Sequence, residues 1–464
     1  MPVTANIKMY RVGELGDCFL LCFSQQNQRT HVLIDCGSYW NKKSSVDRMK
    51  IIAEDIAKQV KGYQLDVVVG THQHNDHLSG YVHAEAVFKK IKPRQVWLSW
   101  LDDPDNKTAR KIGKDFNNYL TRLRLIQKEL KSSFYAGTEK IQQNIQHLLG
   151  FYGITGAERF NARTEKFPAD LPARATGILK TLGKNKPKYL SPGEVFDLPG
   201  LGKETVKVYV LGPPREEEFL YKKEPGKGET FDHKLSLHAA QAEKMLTALK
   251  KATGSAGVRK AEEPFPFDEP YRESANFKPV EDAYYDKKNE WRQIELDWLN
   301  QAEELALWLD GFTNNSSLVL AFELVETGKV LLFAADAQAG NWRSWKEIKW
   351  KKKPAGFSWL NLMNNTVLYK AGHHGSHNST LVEGLENMTH EELVVMIPVE
   401  KSDPMVNYGK GWKMPAVNLY KELKKSSRNR IIRMDEGISK AKAWNDLAGK
   451  AGGNSLYWEY DVKG

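Results

Sequence analysis

Short apolar runs closed by glycine or aspartate recur along the chain, separated by stretches with helical spacing. Residues 7–12 alternate apolar and polar positions, 13–17 turn, 18–23 are apolar enough for a buried strand, and 31–34 run into Asp35-Cys36-Gly37. From 44 to 61, Val46, Met49, Ile51, Ile52, Ile56 and Val60 recur at helical spacing behind a capping Ser44-Ser45. Residues 65–69 then read as a β-branched strand ending at Gly70. This order predicts a β–α–β unit with its chemistry at the carboxyl ends of the strands. A short helix at 83–90 and a strand at 95–100 follow. Strands resume at 188–190, 193–196 and 205–211, then as a hairpin of 318–324 and 330–336, and at 366–371, 393–399 and 430–434, with a helix at 415–424.

Two segments break the pattern. Residues 102–185 lack strand signals and predict an α-helical insertion with long helices at 107–131 and 138–149. Residues 215–311 predict a second one, with helices near 235–251 and 288–309 around an irregular loop at 254–280. The sheet-bearing remainder is 1–101, 186–214 and 312–464, and the two insertions are expected to cap its strand ends. A length of 464 residues fits one large domain with insertions, or two domains.

Composition narrows the class. At 41% hydrophobic and 27% charged, the chain reads as globular. It has no apolar run of membrane-spanning length and no signal-peptide pattern at its start, which predicts a cytoplasmic protein without membrane contact. Cys18, Cys22 and Cys36 read as small buried filler in a reducing compartment. A net charge of +10 favours polyanionic partners. The run 346–353 interleaves tryptophan with lysine and reads either as a phosphate- and base-binding face or as a solvated one.

The chemistry concentrates in two places. His72-Gln73-His74-Asn75-Asp76-His77 follows the 65–69 strand, and His373-His374-Gly375-Ser376-His377 follows the 366–371 strand, so six of the 12 histidines lie in two short loops. Asp35 and Asp336 end two other strands. Asp35 reads as a turn-former or as an anchor for a site at the strand ends, and its position upstream of the histidines favours the anchor. Brought together, these groups suit two divalent cations, zinc first, with manganese or iron also compatible with imidazole and carboxylate donors. Asp336 is well placed to bridge the ions.

The His72–His77 motif resembles the HxHxDH signature of the metallo-β-lactamase fold hydrolases. The wider set is similar to the hydrolase domain of ComEC-type DNA-uptake proteins. Gly13–Asp17 with Cys18, Ile34-Asp35-Cys36-Gly37, Asn315-Ser316-Ser317, Ala335-Asp336-Ala337 and Gly372–Ser376 fall in that family's order, over residues 7–101, 186–214 and 312–440. The resemblance implies an α/β fold, an αββα sandwich of two mixed sheets. It implies that His72 and His74 hold one metal and Asp76 and His77 the other, with Asp336 bridging and His374 as the last ligand. His373 then faces substrate, and Asp35 orients the loop.

Two positions depart from the pattern. Position 212 is Gly where many members of the fold carry a further histidine, which leaves the first metal to be completed by water, His233 or His238. Met414 stands where ComEC-type sequences tend to have His, although Lys413 still offers a cation to phosphate. Ser376 and His377 are expected to contact phosphate oxygens. His31, His83, His147 and His390 read as structural or surface residues.

The expected function is metal-dependent hydrolysis of a phosphodiester, in nucleic acid or a nucleotide, by a metal-bound hydroxide, with Asp76 as orienting base and His373 aiding the leaving group. The alternatives are a lactone, thioester or β-lactam hydrolase, and a non-catalytic metal-binding component that docks protein partners through its insertions.

Overall fold

The computed structural model describes residues 2–60, 65–132, 139–154, 169–221, 229, 297–351, 357–407 and 411–464. The expected helix at 235–251, the loop at 254–280, His233 and His238 lie outside these residues.

Among the described residues the strands form two mixed eight-stranded sheets. The first contains β1 (Thr4–Tyr10), β2 (Phe19–Gln25), β3 (Gln28–Ile34), β4 (Val67–Val69), β5 (Gln95–Ser99), β6 (Lys188–Leu190), β15 (Ala451–Gly453) and β16 (Tyr457–Lys463), in the order β15-β16-β1-β2-β3-β4-β5-β6. The second contains β7 (Val195–Asp197), β8 (Val206–Gly212), β9 (Val319–Leu324), β10 (Lys329–Phe333), β11 (Thr366–Lys370), β12 (Val394–Ile397), β13 (Ile431–Arg433) and β14 (Gly437–Ile438), in the order β14-β13-β12-β11-β10-β9-β8-β7. Pairing is parallel from β3 to β6 and from β10 to β13, and antiparallel elsewhere.

Alternation along β9 shows how the layers form. Leu320, Phe322 and Leu324 face the first sheet within the main core, while Val319 and Ala321 face outward into a second core under Trp342, Trp345 and Trp359. Phe19 and Phe333 meet edge to face across the sheets at 5.7 Å. On the other side of the first sheet lie helices α1 (Lys43–Gln59), α2 (Asn75–His83) and α3 (Glu85–Ile91), which bury Met49, Ile52, Ile56, Leu78, Tyr81, Phe88 and Ile91. The layers therefore run helix–sheet–sheet–helix, an α/β sandwich as expected. With both faces of each sheet covered, the central strands need near-continuous apolar runs, and their sequences show them.

Two details differ from the sequence reading. Residues 72–77 were expected to form a short loop, but α2 begins at Asn75 and takes Asp76 and His77 into its first turn. β15 and β16 were not anticipated; β16 pairs along the whole of β1 and so joins the two ends of the described chain.

The helical segments meet each other. Helices α4 (Lys107–Ser132) and α5 (Glu139–Gly150) pack Leu120, Leu123, Ile145 and Leu149 against Leu305 and Leu309 of the helix Asp297–Asn315. The Tyr152 and Thr313 hydroxyls lie 2.9 Å apart between the two segments. Helix α6 (Leu171–Leu182), inside the 102–185 segment, instead sends Ala175, Leu179 and Leu182 into the main core.

In the run 346–353, Trp350 packs half-buried against Tyr209 and Phe357. Lys346 pairs with Glu383 at 2.5 Å. This tryptophan is thus engaged by the outer core, while Lys346, Lys349 and Lys351 are exposed, in line with the solvated reading of the run; residues 352–353 lie outside the described part. Cys18 and Cys36 are buried and Cys22 half-buried, all as free thiols. Among the described residues no helix is long and apolar enough to cross a membrane.

Candidate metal centre

Parallel strands from both sheets deliver their carboxyl ends to one place. β3 ends at Asp35, β4 leads to His72–His77, β10 leads to Asp336 and β11 to His373 and His374. Because β2 runs antiparallel to β3, Asp17, two residues before its start, reaches the same edge. Asp35, Ala335, His373 and His374 all take left-handed backbone (φ 56°, 47°, 41° and 53°). Such non-glycine conformations cost about 1–3 kcal/mol each and persist where surrounding contacts impose them. They fall in the turns that follow β3, β10 and β11, and the Ala335 carbonyl, accepting from the His373 amide at 3.0 Å, ties two of these turns together.

Asp76, His77, Asp336 and His374 are fully buried, and one donor atom from each lies within 4.8 Å of the others. His77 Nε2 is 3.1 Å from Asp336 Oδ2, and His374 Nε2 is 3.1 Å from Asp76 Oδ2. The far side of each ring is held. His77 Nδ1 lies 2.7 Å from Asp35 Oδ2, and Asp35 in turn accepts from the Thr71 amide at 2.9 Å and the Thr71 hydroxyl at 2.7 Å. His374 Nδ1 lies 2.7 Å from the Pro398 carbonyl. Asp35 therefore orients His77, the arrangement that fixes a ligating imidazole through its other nitrogen.

His72 and His74 form a second pair. His72 Nε2 and His74 Nδ1 are 3.2 Å apart, close to the roughly 3.4 Å that separates two nitrogens on one tetrahedral ion with bonds of about 2.1 Å. His72 Nδ1 is backed by the hydroxyls of Thr71 at 3.1 Å and Ser317 at 3.3 Å. The His74 ring stacks on Phe151 at 4.8 Å, and its Nε2 is 3.9 Å from Asp310 Oδ1, so both helical segments wall this histidine. Among the described residues, no third His, Cys, Asp or Glu closes a metal-binding group with this pair. Position 212 cannot supply one, because a Cβ there would collide with the Asn341 amide, which is fixed by the Asn315 and Ser317 carbonyls.

Electrostatics follow from burial. Asp17, Asp35, Asp76 and Asp336 are four buried carboxylates, with Lys370 as a buried cation among them. Burial works against the charged form of His77, but Asp336, Asp76 and Asp35 overcome it and raise its pKa well above the usual value. His374 is raised in the same way against its burial, by Asp336 and Asp17. Burial would raise Asp336, yet His77, His374 and Lys370 hold it well below the ordinary carboxylate range. His74 and His373, without comparable anionic support, are pushed down by burial to about 4 and about 3. The centre demands positive charge between Asp76 and Asp336. His77 Nε2, Asp76 Oδ1 and Asp336 Oδ2 are buried with no hydrogen-bond partner among the described residues, which is what a cation's donor set requires. The residues fit a divalent metal.

The remaining candidates sit around this centre. His373 Nε2 is 3.9 Å from Asp336 Oδ2 and its Nδ1 is 3.3 Å from Gln338 Nε2. The buried Ser376 hydroxyl donates to Asn378 Oδ1 at 3.2 Å, and His377 is half-buried beside it. Lys413 is exposed, on a loop tied to the His373–His374 turn by the Ala416 amide donating to the Gly375 carbonyl at 2.8 Å. His31, His83, His147 and His390 are half-buried and outside the cluster. Sequence reasoning gave no site role to Lys370 or Asp310, and it noted Asp17 only as part of a turn and of the Gly13–Asp17 stretch in the family's order, without a site role. The signal for Lys370 was present, as a charge inside a strand otherwise buried on both faces.

No curated protein matches the chain. Residues 12–137, which carry Asp17, Asp35 and the His72–His77 cluster, match the family model of the Metallo-beta-lactamase superfamily.

Proposed function

We propose that this chain is a metal-dependent phosphodiesterase, acting on nucleic acid or a nucleotide. The observation that carries the reading is the convergence of four buried donors, Asp76, His77, Asp336 and His374, whose inward atoms include three with no hydrogen-bond partner among the described residues. Asp76, His77, His374 and Asp336 would hold one ion, and His72 with His74 would hold a second, sharing Asp336. Divalent ions held there would lower the pKa of a coordinated water toward about 7 and would polarise the phosphoryl oxygen.

The protein's own groups do the rest. Asp35 and the Pro398 carbonyl keep His77 and His374 aimed inward. Asp76 presents its free Oδ1 where an attacking water is oriented, and His373 assists the departing oxygen. Lys413 meets a phosphate outside the cluster, with Ser376 and His377 lining the approach. The positive net charge and the ComEC-like His373-His374-Gly375-Ser376 run favour a phosphodiester over a lactone or thioester. The helical segments, which meet beside His74, are the natural surface for the rest of the substrate or for a protein partner.

Because no third His, Cys, Asp or Glu among the described residues closes a metal-binding group with the His72–His74 pair, the two ions are expected to be held unequally. Elemental analysis during stepwise Zn²⁺ or Mn²⁺ loading should show one ion retained through gel filtration and a second gained only with metal in excess. Hydrolysis of bis-p-nitrophenyl phosphate should depend on the added ion. Metal loading without phosphodiester turnover, but with lactone or thioester turnover, would overturn the substrate assignment. Failure to bind metal at all would overturn the whole reading.

A further inference from the structure

Lys370 lies at the end of β11, with 1% of its surface exposed, directly beneath the centre. Its Nζ reaches three oxygens: Asp17 Oδ2 at 2.6 Å, the Ala335 carbonyl at 2.8 Å and Asp336 Oδ1 at 3.4 Å. An ammonium has three protons, so this one is fully used and none is left for substrate. A buried lysine is costly unless it is paired and hydrogen-bonded. Pairing with Asp17 alone would satisfy the charge. The other two contacts fall on consecutive residues, Ala335 and Asp336, at the turn where Ala335 takes left-handed backbone.

We infer that Lys370 is a positioning residue for the metal centre, fixing the Asp336 carboxylate so that one oxygen is spent on the ammonium and only Oδ2 faces the ions. Asp336 is otherwise held near its backbone, by its amide donating to the Ser317 hydroxyl at 3.2 Å. Without the lysine contact its carboxylate is free to rotate about χ2, a broad torsion for aspartate. Oδ2, at 3.1 Å from His77 Nε2 and 3.6 Å from His374 Nε2, stands between both rings only in the orientation that places Oδ1 on Lys370. The same cation contacts two of the four carboxylates and offsets one of their charges, which limits how much positive charge the centre needs from its ions. This rests on the reading of the cluster as a metal centre.

The test separates positioning from charge neutralisation. The double variant D17N/K370M removes the cation and one of its anions together, leaving the net charge unchanged. D17N alone, which leaves the Asp336 contact in place, is the baseline. For each protein the metal-free thermal midpoint is measured, along with Zn²⁺ affinity by competition with a chromogenic chelator. The double variant should melt near D17N but bind Zn²⁺ about 10- to 100-fold more weakly, the usual effect of losing a group that orients a ligand. If it does not fold, K370R decides. It keeps the charge but alters the tripod, and its Zn²⁺ affinity should still fall. Zn²⁺ affinity equal to D17N in a folded double variant, or equal to wild type in K370R, would overturn the inference and leave the metal centre standing. A wild-type protein that binds no Zn²⁺ would overturn both.

Discussion

Replacing Asp76 with Asn is expected to abolish metal-dependent turnover while leaving the protein folded. The side chain is completely buried, with Oδ2 3.1 Å from His374 Nε2 and Oδ1 without a partner. Asn has the same shape and keeps one oxygen, but it replaces an anionic acceptor with an amide that has donors on one side. It thereby removes both a metal ligand and the base that orients the nucleophile. Loss of such a proton-handling group alone costs about 10²–10⁴-fold in rate. The fold tolerates the change because the centre keeps three other buried carboxylates. The chief structural loss is the favourable interaction of Asp76 with the start of α2, about 0.3–1 kcal/mol. Steady-state hydrolysis of bis-p-nitrophenyl phosphate, read beside circular dichroism, checks both halves. Wild-type turnover in a folded D76N protein would remove Asp76 from the mechanism.

The layers of the fold were legible because they rest on period-two alternation and on runs buried on both faces. β9 shows both, and sequence placed it within a residue of its true start. The histidine cluster was legible because ligand types stood close in sequence at the end of a strand. What local pattern does not carry is where a loop becomes a helix when no capping signal marks it. His74 occupies the N-cap of α2 without a capping hydrogen bond, so nothing in the sequence announced a helix start at Asn75. Long-range partners were equally hidden. Asp310 approaches His74 from a helix that begins at Asp297, and β16 finds β1 across nearly the whole chain. Position 212 shows the reverse case. The sequence registered a missing histidine, while the structure shows that Asn341 occupies the space a side chain would need.

Gly37 to Ala is expected to be strongly destabilising for a single-methyl change. A Cβ at this position would stand 2.5 Å from both the amide nitrogen and the carbonyl carbon of His77, and 2.6 Å from the carbonyl carbon of Asp76. These are backbone atoms at the start of α2, with no flexible side-chain end to swing aside. The neighbouring chain is pinned as well. The Gly37 amide donates to the Asp17 carbonyl at 3.0 Å, the Asp17 amide to the Asp76 carbonyl at 2.9 Å, and the Cys36 amide to the His77 carbonyl at 2.8 Å. Relieving the clash means separating the segments that carry Asp17, Asp35, Asp76 and His77, so stability and metal binding should fall together. Overpacking usually costs about 1–3 kcal/mol and more where backbone must move, so a loss of about 3 kcal/mol or above is expected. Gly113 to Ala is the matched control. Nothing lies within 4 Å of its Cβ position inside α4, and there alanine should stabilise by up to about 1 kcal/mol. Denaturant unfolding and zinc content of the two variants give the comparison. A Gly37 to Ala protein with wild-type stability and full zinc would mean that the backbone between β3 and α2 yields more readily than its hydrogen bonds imply, and the site could then not owe its geometry to that close approach.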